Sequence, residues 1–132
     1  MESTVIKSWV EEYNERFPAI AMMEVEVGNV ATYYVGSDSY ADIVTNVVRF
    51  KSGARAGQIN YLETTHEVNG VKTRFHAKEI KCTNYSCSKD SADPKNCVWC
   101  NQKARGIYKF IARTWSGEVA VGYAKEYRDP HF

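Results

Sequence analysis

Four cysteines fall within nineteen residues, spaced Cys82-x4-Cys87-x9-Cys97-x2-Cys100. Thiolates are soft ligands, and two close pairs joined by a short loop let one Zn²⁺ ion gather four sulfurs in a tetrahedron. The Cys97-Val98-Trp99-Cys100 half has the spacing of a zinc knuckle, and the other half is slightly wider. Between the pairs lie turn formers (Thr83, Asn84, Ser88, Asp90, Ser91, Asp93, Pro94, Asn96), a composition with no core of its own. A metal would supply the missing ordering free energy, on the order of 10 kcal/mol for a structural site. The expectation is one structural zinc on Cys82, Cys87, Cys97 and Cys100, in a loop spanning 82–103. Four protein ligands close such a site to substrate.

Other thiol chemistries fit less well. Disulfides belong to exported chains, and the opening MESTVIKSWVEE lacks the basic and then apolar segments of an export signal. A redox Cys-x-x-Cys pair needs a βαβ context that the pattern does not offer, and it leaves Cys82 and Cys87 unexplained. Zinc nucleobase deaminases use H-x-E followed by P-C-x-x-C. Here the spacing is His76-x-x-Glu79 and Pro94-x-x-Cys97-x-x-Cys100, with two further cysteines to fill the open coordination position. There is no glycine-rich phosphate loop, no H-E-x-x-H and no G-x-S-x-G. A non-enzymatic protein is expected, with the deaminase as the lesser alternative.

Charge points to a second kind of chemistry. The formal charge is +1, but residues 1–48 carry −6, residues 49–113 carry +8 and the remainder −1. Four thiolates and Zn²⁺ would add −2, leaving the middle at about +6. Lys72, Arg74, His76 and Lys78 alternate along one predicted strand, so they share a face at steps of about 6.5–7 Å. Lys103, Arg105, Lys109 and Arg113 follow the second cysteine pair, and Trp99, Tyr85 and Trp115 offer stacking surfaces. These residues are the candidate contacts to nucleic acid or to a protein partner. The competing reading is a solvated face of ion pairs, because the hairpin register sets Glu67 beside Lys72 and Glu63 beside His76.

The elements that must position these groups are mainly β. Length and an apolar content of 44% suit a single domain, 1–132, and no apolar run approaches the ~18–20 residues of a membrane span. Within 1–18, Val5, Ile6, Trp9, Val10, Tyr13 and Phe17 form one helical stripe with Ser3 as N-cap, ended by Pro18 and expected to pack on the core. Val25 and Val27 alternate with glutamates, Ala31–Val35 reads as a strand, and 42–51 as another. Asn69-Gly70 marks a type I′ hairpin between 58–68 and 71–80. Its inward face would carry Leu62, His66, Val68, Val71, Phe75 and Ala77, with His66 a hydrogen-bonded core histidine. A second hairpin spans 107–114 and 118–124. Six or so short strands predict a mainly β (α+β) fold. It would be a small SH3-like barrel or curled antiparallel sheet, with an N-terminal helix and the cysteine loop inserted between the hairpins.

Gly28-Asn29-Val30-Ala31-Thr32, then Ser37-Asp38-Ser39-Tyr40 leading into Val44-Thr45-Asn46-Val47-Val48, form a recognisable set with the closing stretch Gly122–Tyr127 and Asp129-Pro130-His131-Phe132. Through them the chain resembles small proteins of tailed bacteriophages. That resemblance implies an SH3-like β-barrel, encoded by a phage and acting in the host cytoplasm; the reading as a whole expects it to engage a host protein or nucleic acid. It carries over no catalytic residue, and neither the N-terminal helix nor the cysteine loop belongs to the pattern. Tyr127 and Phe132 would pack the C-terminal tail across the barrel.

Overall fold

The computed structural model of the protein describes residues 8–82, 97–128 and 130. Six antiparallel strands close into a barrel: β1 (Val30–Val35), β2 (Asp38–Arg49), β3 (Ile59–Thr64), β6 (Phe75–Glu79), β7 (Tyr108–Ala112) and β8 (Gly117–Val121), in that order around the wall. Between β3 and β6 a two-stranded ribbon, β4 (Glu67–Val68) and β5 (Val71–Lys72), projects as a separate sheet. Among the described residues two helices, α1 (Trp9–Arg16) and α2 (Val98–Ala104), and a 3-10 turn at Met22–Glu24 complete the regular structure. Among the described residues no helix is long and apolar enough to cross a membrane.

Closure depends on β2. Its twelve residues pair with β1 through Asp38–Ile43 and with β3 through Val44–Arg49, and the register shifts at Val44/Asn46 and Val48/Arg49. Such irregularities bend a strand and sharpen its twist, which lets one strand turn a barrel corner. The last joint is β1 with β8, in register from Ala31↔Val121 to Val35↔Gly117. Inward residues of all six strands then meet: Ala31, Phe75, Leu62, Ile59, Val44, Phe110 and Val119 are essentially sealed from solvent. Arg49 closes the end near the 3-10 turn, donating to the carbonyls of Val25 at 2.7 Å and Gly57 at 2.9 Å.

The hairpin tip forms as the sequence predicts, with Asn69 and Gly70 at φ 54° and 77° and the pairs Glu67↔Lys72 and Val68↔Val71. Below the tip the register is corrected by two residues, to Tyr61↔His76 and Leu62↔Phe75. The extra residues sit at Thr65-His66, where Asp42 accepts hydrogen bonds from Thr64 Oγ1 (2.7 Å) and Thr65 Oγ1 (2.6 Å). Lys72 Nζ donates to the Thr64 carbonyl at 3.0 Å. A shift of two preserves facing, so Leu62 and Phe75 still point inward. Val68 and Val71 do not: the ribbon leaves the barrel and both are exposed. Glu63, released from His76, instead accepts from Asn46 Nδ2 at 2.8 Å.

Other expectations are adjusted by local chemistry. The described helix begins at Trp9, because Ser8 rather than Ser3 caps it, accepting from the Glu11 N–H at 3.2 Å. Ser3, Val5 and Ile6 lie outside the described residues. Pro18 ends the helix as expected, and α1 packs on α2 and Tyr123 rather than on the barrel core, leaving Trp9 exposed. Val25 and Val27 lie beside the 3-10 turn, not on a strand. The cysteine segment is not loop throughout, since α2 occupies 98–104. His66 is half-buried and stacks on Tyr33 at 4.1 Å, yet its Nε2 has no hydrogen-bond partner among the described residues. Tyr127 bridges Ser39 by two backbone hydrogen bonds while its ring stays exposed, and Phe132 lies outside the described residues.

Candidate metal centre and adjoining clefts

Beyond the barrel wall α1, α2, the 18–21 connection and the far ends of β6 and β7 make a cap. Its own core is small: Ala19, Ile80 and Ile107 are buried, with Trp99 and Tyr123 packed against them. Arg105 ties the layers together through Asn14 Oδ1 (3.2 Å) and the Ala19 carbonyl (3.1 Å).

The cysteines gather here. Cys82 follows β6, Cys97 precedes α2 and Cys100 lies in its first turn, and their three sulfurs are within 4.8 Å of one another. Cys82 Sγ is 3.5 Å from Cys97 Sγ, too far for a disulfide between these two. A tetrahedron with zinc–sulfur bonds of about 2.3 Å has sulfurs about 3.8 Å apart, so this spacing suits a shared metal ion. Cys97 and Cys100 are buried and Cys82 is exposed. Burial pushes the Cys97 thiol up, but the backbone of Cys100, the Cys82 and Cys100 sulfurs and the backbone of Trp99 hydrogen-bond to it and bring it down to about 7. A thiol so placed is readily a thiolate, the form that binds metal. Cys87 lies outside the described residues.

Between Cys97 and Cys100, Trp99 turns to a cleft of about 300 Å³ enclosed by α1, α2 and the outer face of β1, β7 and β8. Tyr13, Phe17, Tyr34, Tyr108 and Tyr123 line it with Trp99. The Tyr34 and Tyr123 hydroxyls are 2.8 Å apart. Burial, and then that hydrogen bond, raise Tyr123 far above the ordinary tyrosine value, so it is a neutral hydroxyl at any physiological pH. At the edge, Lys109 lies over Trp99 at 5.7 Å and Lys125 over Phe17 at 5.2 Å. The sequence reading selected Trp99 and Lys109 but missed the tyrosines, which come from four separate elements and carry no motif.

The eight predicted surface residues do not form one basic stripe. Lys72 meets Glu67 at 3.8 Å, Lys103 meets Glu79 at 2.9 Å and Lys109 meets Glu118 at 3.7 Å. Arg74 lies over the Tyr61 ring at 4.6 Å, and Arg105 serves the cap. Lys78 is exposed across the ladder from Lys109. Arg113 shares a different cleft with His76. That histidine and Glu79 take no part in the thiol cluster, which among the described residues consists of cysteines alone.

No protein-family model matches the chain, and no curated protein or solved structure matches it. Fold and site together define its class: a closed six-stranded antiparallel barrel bearing a helical cap with a three-thiol cluster able to hold a metal ion.

Proposed function

We propose that this chain is a non-enzymatic binding module whose cap is ordered by a structural zinc on Cys82, Cys97 and Cys100, with Cys87 as the fourth ligand. Taken with the phage resemblance, it would be an accessory protein acting in the host cytoplasm. The observation carrying this reading is the convergence of three thiols directly beside the aromatic cleft. A metal that fixes α2 also fixes Trp99, a cleft wall. The cleft suits an apolar or aromatic side chain of a host protein with a carboxylate nearby, because rings supply contact area and Lys109 and Lys125 supply positive edges.

Nucleic acid is the second reading, supported by Lys109 above Trp99 with Lys78 alongside, where a base could stack and a phosphate be met. The carboxylate partners of Lys72, Lys103 and Lys109 count against a broad polyanion surface. The deaminase alternative is weakened by the absence of His76 from the thiol cluster. Affinity capture from bacterial host lysate tests the choice, using wild type and Trp99→Ala, each with and without nuclease. A protein held by wild type, lost by the variant and indifferent to nuclease is expected. Loss on nuclease treatment would favour nucleic acid, and identical capture by both chains would refute the cleft as the binding surface. Metal analysis finding no zinc in freshly purified protein would overturn the zinc assignment.

A further inference from the structure

The barrel wall has two short joints, β3–β6 and β7–β8, each with two pairs in register. β3 and β6 share only the pairs Tyr61↔His76 and Leu62↔Phe75, whereas β6 and β7 share five. Past Tyr61 and His76 the two strands part, and a second cleft of about 260 Å³ opens there. Its apolar lining comes from Met22, Ile59, Ala77 and Tyr108, all packed in the barrel core. Polar side chains from three other places join it: Arg55 of the β2–β3 loop, His76 of β6 and Arg113 after β7, with the amides of Gln58 and Asn60.

The charges in this cleft are unbalanced in an informative way. Its carboxylate, Glu79, is engaged by Lys103 at 2.9 Å. Among the described residues, neither Arg55 nor Arg113 has a carboxylate in ion-pair contact. Arg55 lies over the Phe50 ring at 5.8 Å, a contact that leaves its N–H donors at the ring edge available. His76 Nδ1 is enclosed and has no hydrogen-bond partner among the described residues. The Asn60 backbone engages the same ring, so what is unmatched in the cleft is the positive charge of two guanidinium groups, which favours an anionic acceptor there. Two guanidinium groups and an imidazole from separate elements meet an acceptor from several directions, which suits a tetrahedral oxyanion.

We infer that the β3–β6 seam is a binding site for a phosphate-class oxyanion, held by Arg55, His76 and Arg113 above the barrel's apolar floor. The site is distinct from the aromatic cleft, with which it shares the Tyr108 wall. The shared chemistry is phosphate, as the free ion or as the end of a small nucleotide whose remainder the floor of Met22, Ile59 and Tyr108 would receive.

The test is titration of the full-length protein with inorganic phosphate and, separately, adenosine monophosphate, followed by NMR. Saturable shifts of the His76 ring and the Gln58 and Asn60 side-chain amides are expected, with a dissociation constant of about a millimolar or below. Arg113→Gln should weaken binding about tenfold, which is roughly 1.4 kcal/mol. Lys72→Gln, a change on the ribbon that removes the same charge, should leave binding intact. Equal affinity for both probes identifies the free oxyanion as sufficient, and about tenfold preference for the nucleotide identifies the floor as a second contact. Absence of saturable shifts with either probe overturns the inference, as does equal weakening by Lys72→Gln, which would mean general charge attraction. If Arg113→Gln fails to fold, the location of the wild-type shifts decides the question.

Discussion

Twelve buried residues fill the barrel, among them Phe75, Phe110, Leu62 and Ile59, while the cap buries Ala19, Ile80 and Ile107 in its own core. Burying an aliphatic side chain contributes about 1.5–3 kcal/mol, so the two cap isoleucines supply roughly 3–6 kcal/mol. Ordering the backbone of α2 costs about 1–2 kcal/mol per residue, which exceeds that gain for seven residues. Val10 and Val98 are buried in the cap as well, so its apolar burial comes close to that cost, and the proposed thiolate metal site would add on the order of 10 kcal/mol. On the zinc proposal, two regions of one small chain would rest on different terms, hydrophobic closure in one and metal–thiolate bonds added to a smaller core in the other.

Removing the metal should separate them most sharply. A strong chelator, or Cys97→Ser, is expected to release α2 while the barrel survives. In hydrogen exchange the amides of Asn101 and Arg105, which close α2 on Cys97 and Asn101 carbonyls, would lose protection. Those of Phe110 and Val119, paired across β7 and β8, would keep theirs. If both sets open together, the cap and barrel form one cooperative unit and the comparison fails. The converse experiment is Phe75→Ala. Deleting a fully buried ring costs about 3–5 kcal/mol, and the loss should appear in the denaturant midpoint of the whole chain even with zinc saturating. A change below about 1 kcal/mol would mean that the barrel does not rest on its apolar centre.

The same division governs what could be read in advance. The barrel is written in local signals: alternation of apolar residues, Asn69-Gly70 with both φ values positive, and Pro18 ending α1. Its closure by β1 and β8 joins residues some ninety positions apart, and no local pattern announces such a pairing. The two-residue shift at Thr65-His66 depends on Asp42, a residue of another strand, so a hairpin rule applied to the turn alone misses it. In the cap, the cysteine spacing announced a ligand set, and three of its members do converge. The helix α2 went unrecognised because it buries Val98, Cys100 and Gln102, a mixture with no apolar stripe. The clefts are assembled from single side chains on many elements, which is the least legible arrangement of all.

Gly122 tests the joint between the two regions. It adopts φ +120°, donates to the Val30 carbonyl at 2.9 Å, and the 18–20 connection runs directly over it. A Cβ there would meet the Pro18 carbonyl oxygen at 2.6 Å and the Ile20 nitrogen at 2.9 Å, both backbone atoms that cannot rotate aside. Gly122→Ala should therefore cost about 1–3 kcal/mol, a typical penalty for forced overpacking. The strain falls on the Ile20 N–H bond to the Val121 carbonyl, the strut between cap connection and β8. Increased exchange at Ile20, with Phe110 unaffected, is the expected signature; unchanged stability would show that the connection yields freely.

The smallest effect belongs to the seam. Burial first, then the Arg113 and Arg74 guanidinium groups, lower the His76 pKa below 6.5, against the opposing hydrogen bond to the Asn60 backbone. Arg55 and Glu79 share its cleft, the latter engaged by Lys103. A histidine with a lowered folded pKa binds more protons when unfolded, so its contribution to stability falls as pH drops through 6.5 and levels off below the folded value. Wild type should consequently lose a little stability between pH 7.5 and 5.5 that His76→Gln retains, measured by urea unfolding in a buffer free of phosphate. Identical pH dependence in both proteins would mean that the ring escapes the guanidinium field. A bound oxyanion would reverse that field, so adding phosphate should shrink the difference between wild type and variant. If both proposals hold, a short joint of the barrel would answer to a ligand as the cap would to its metal.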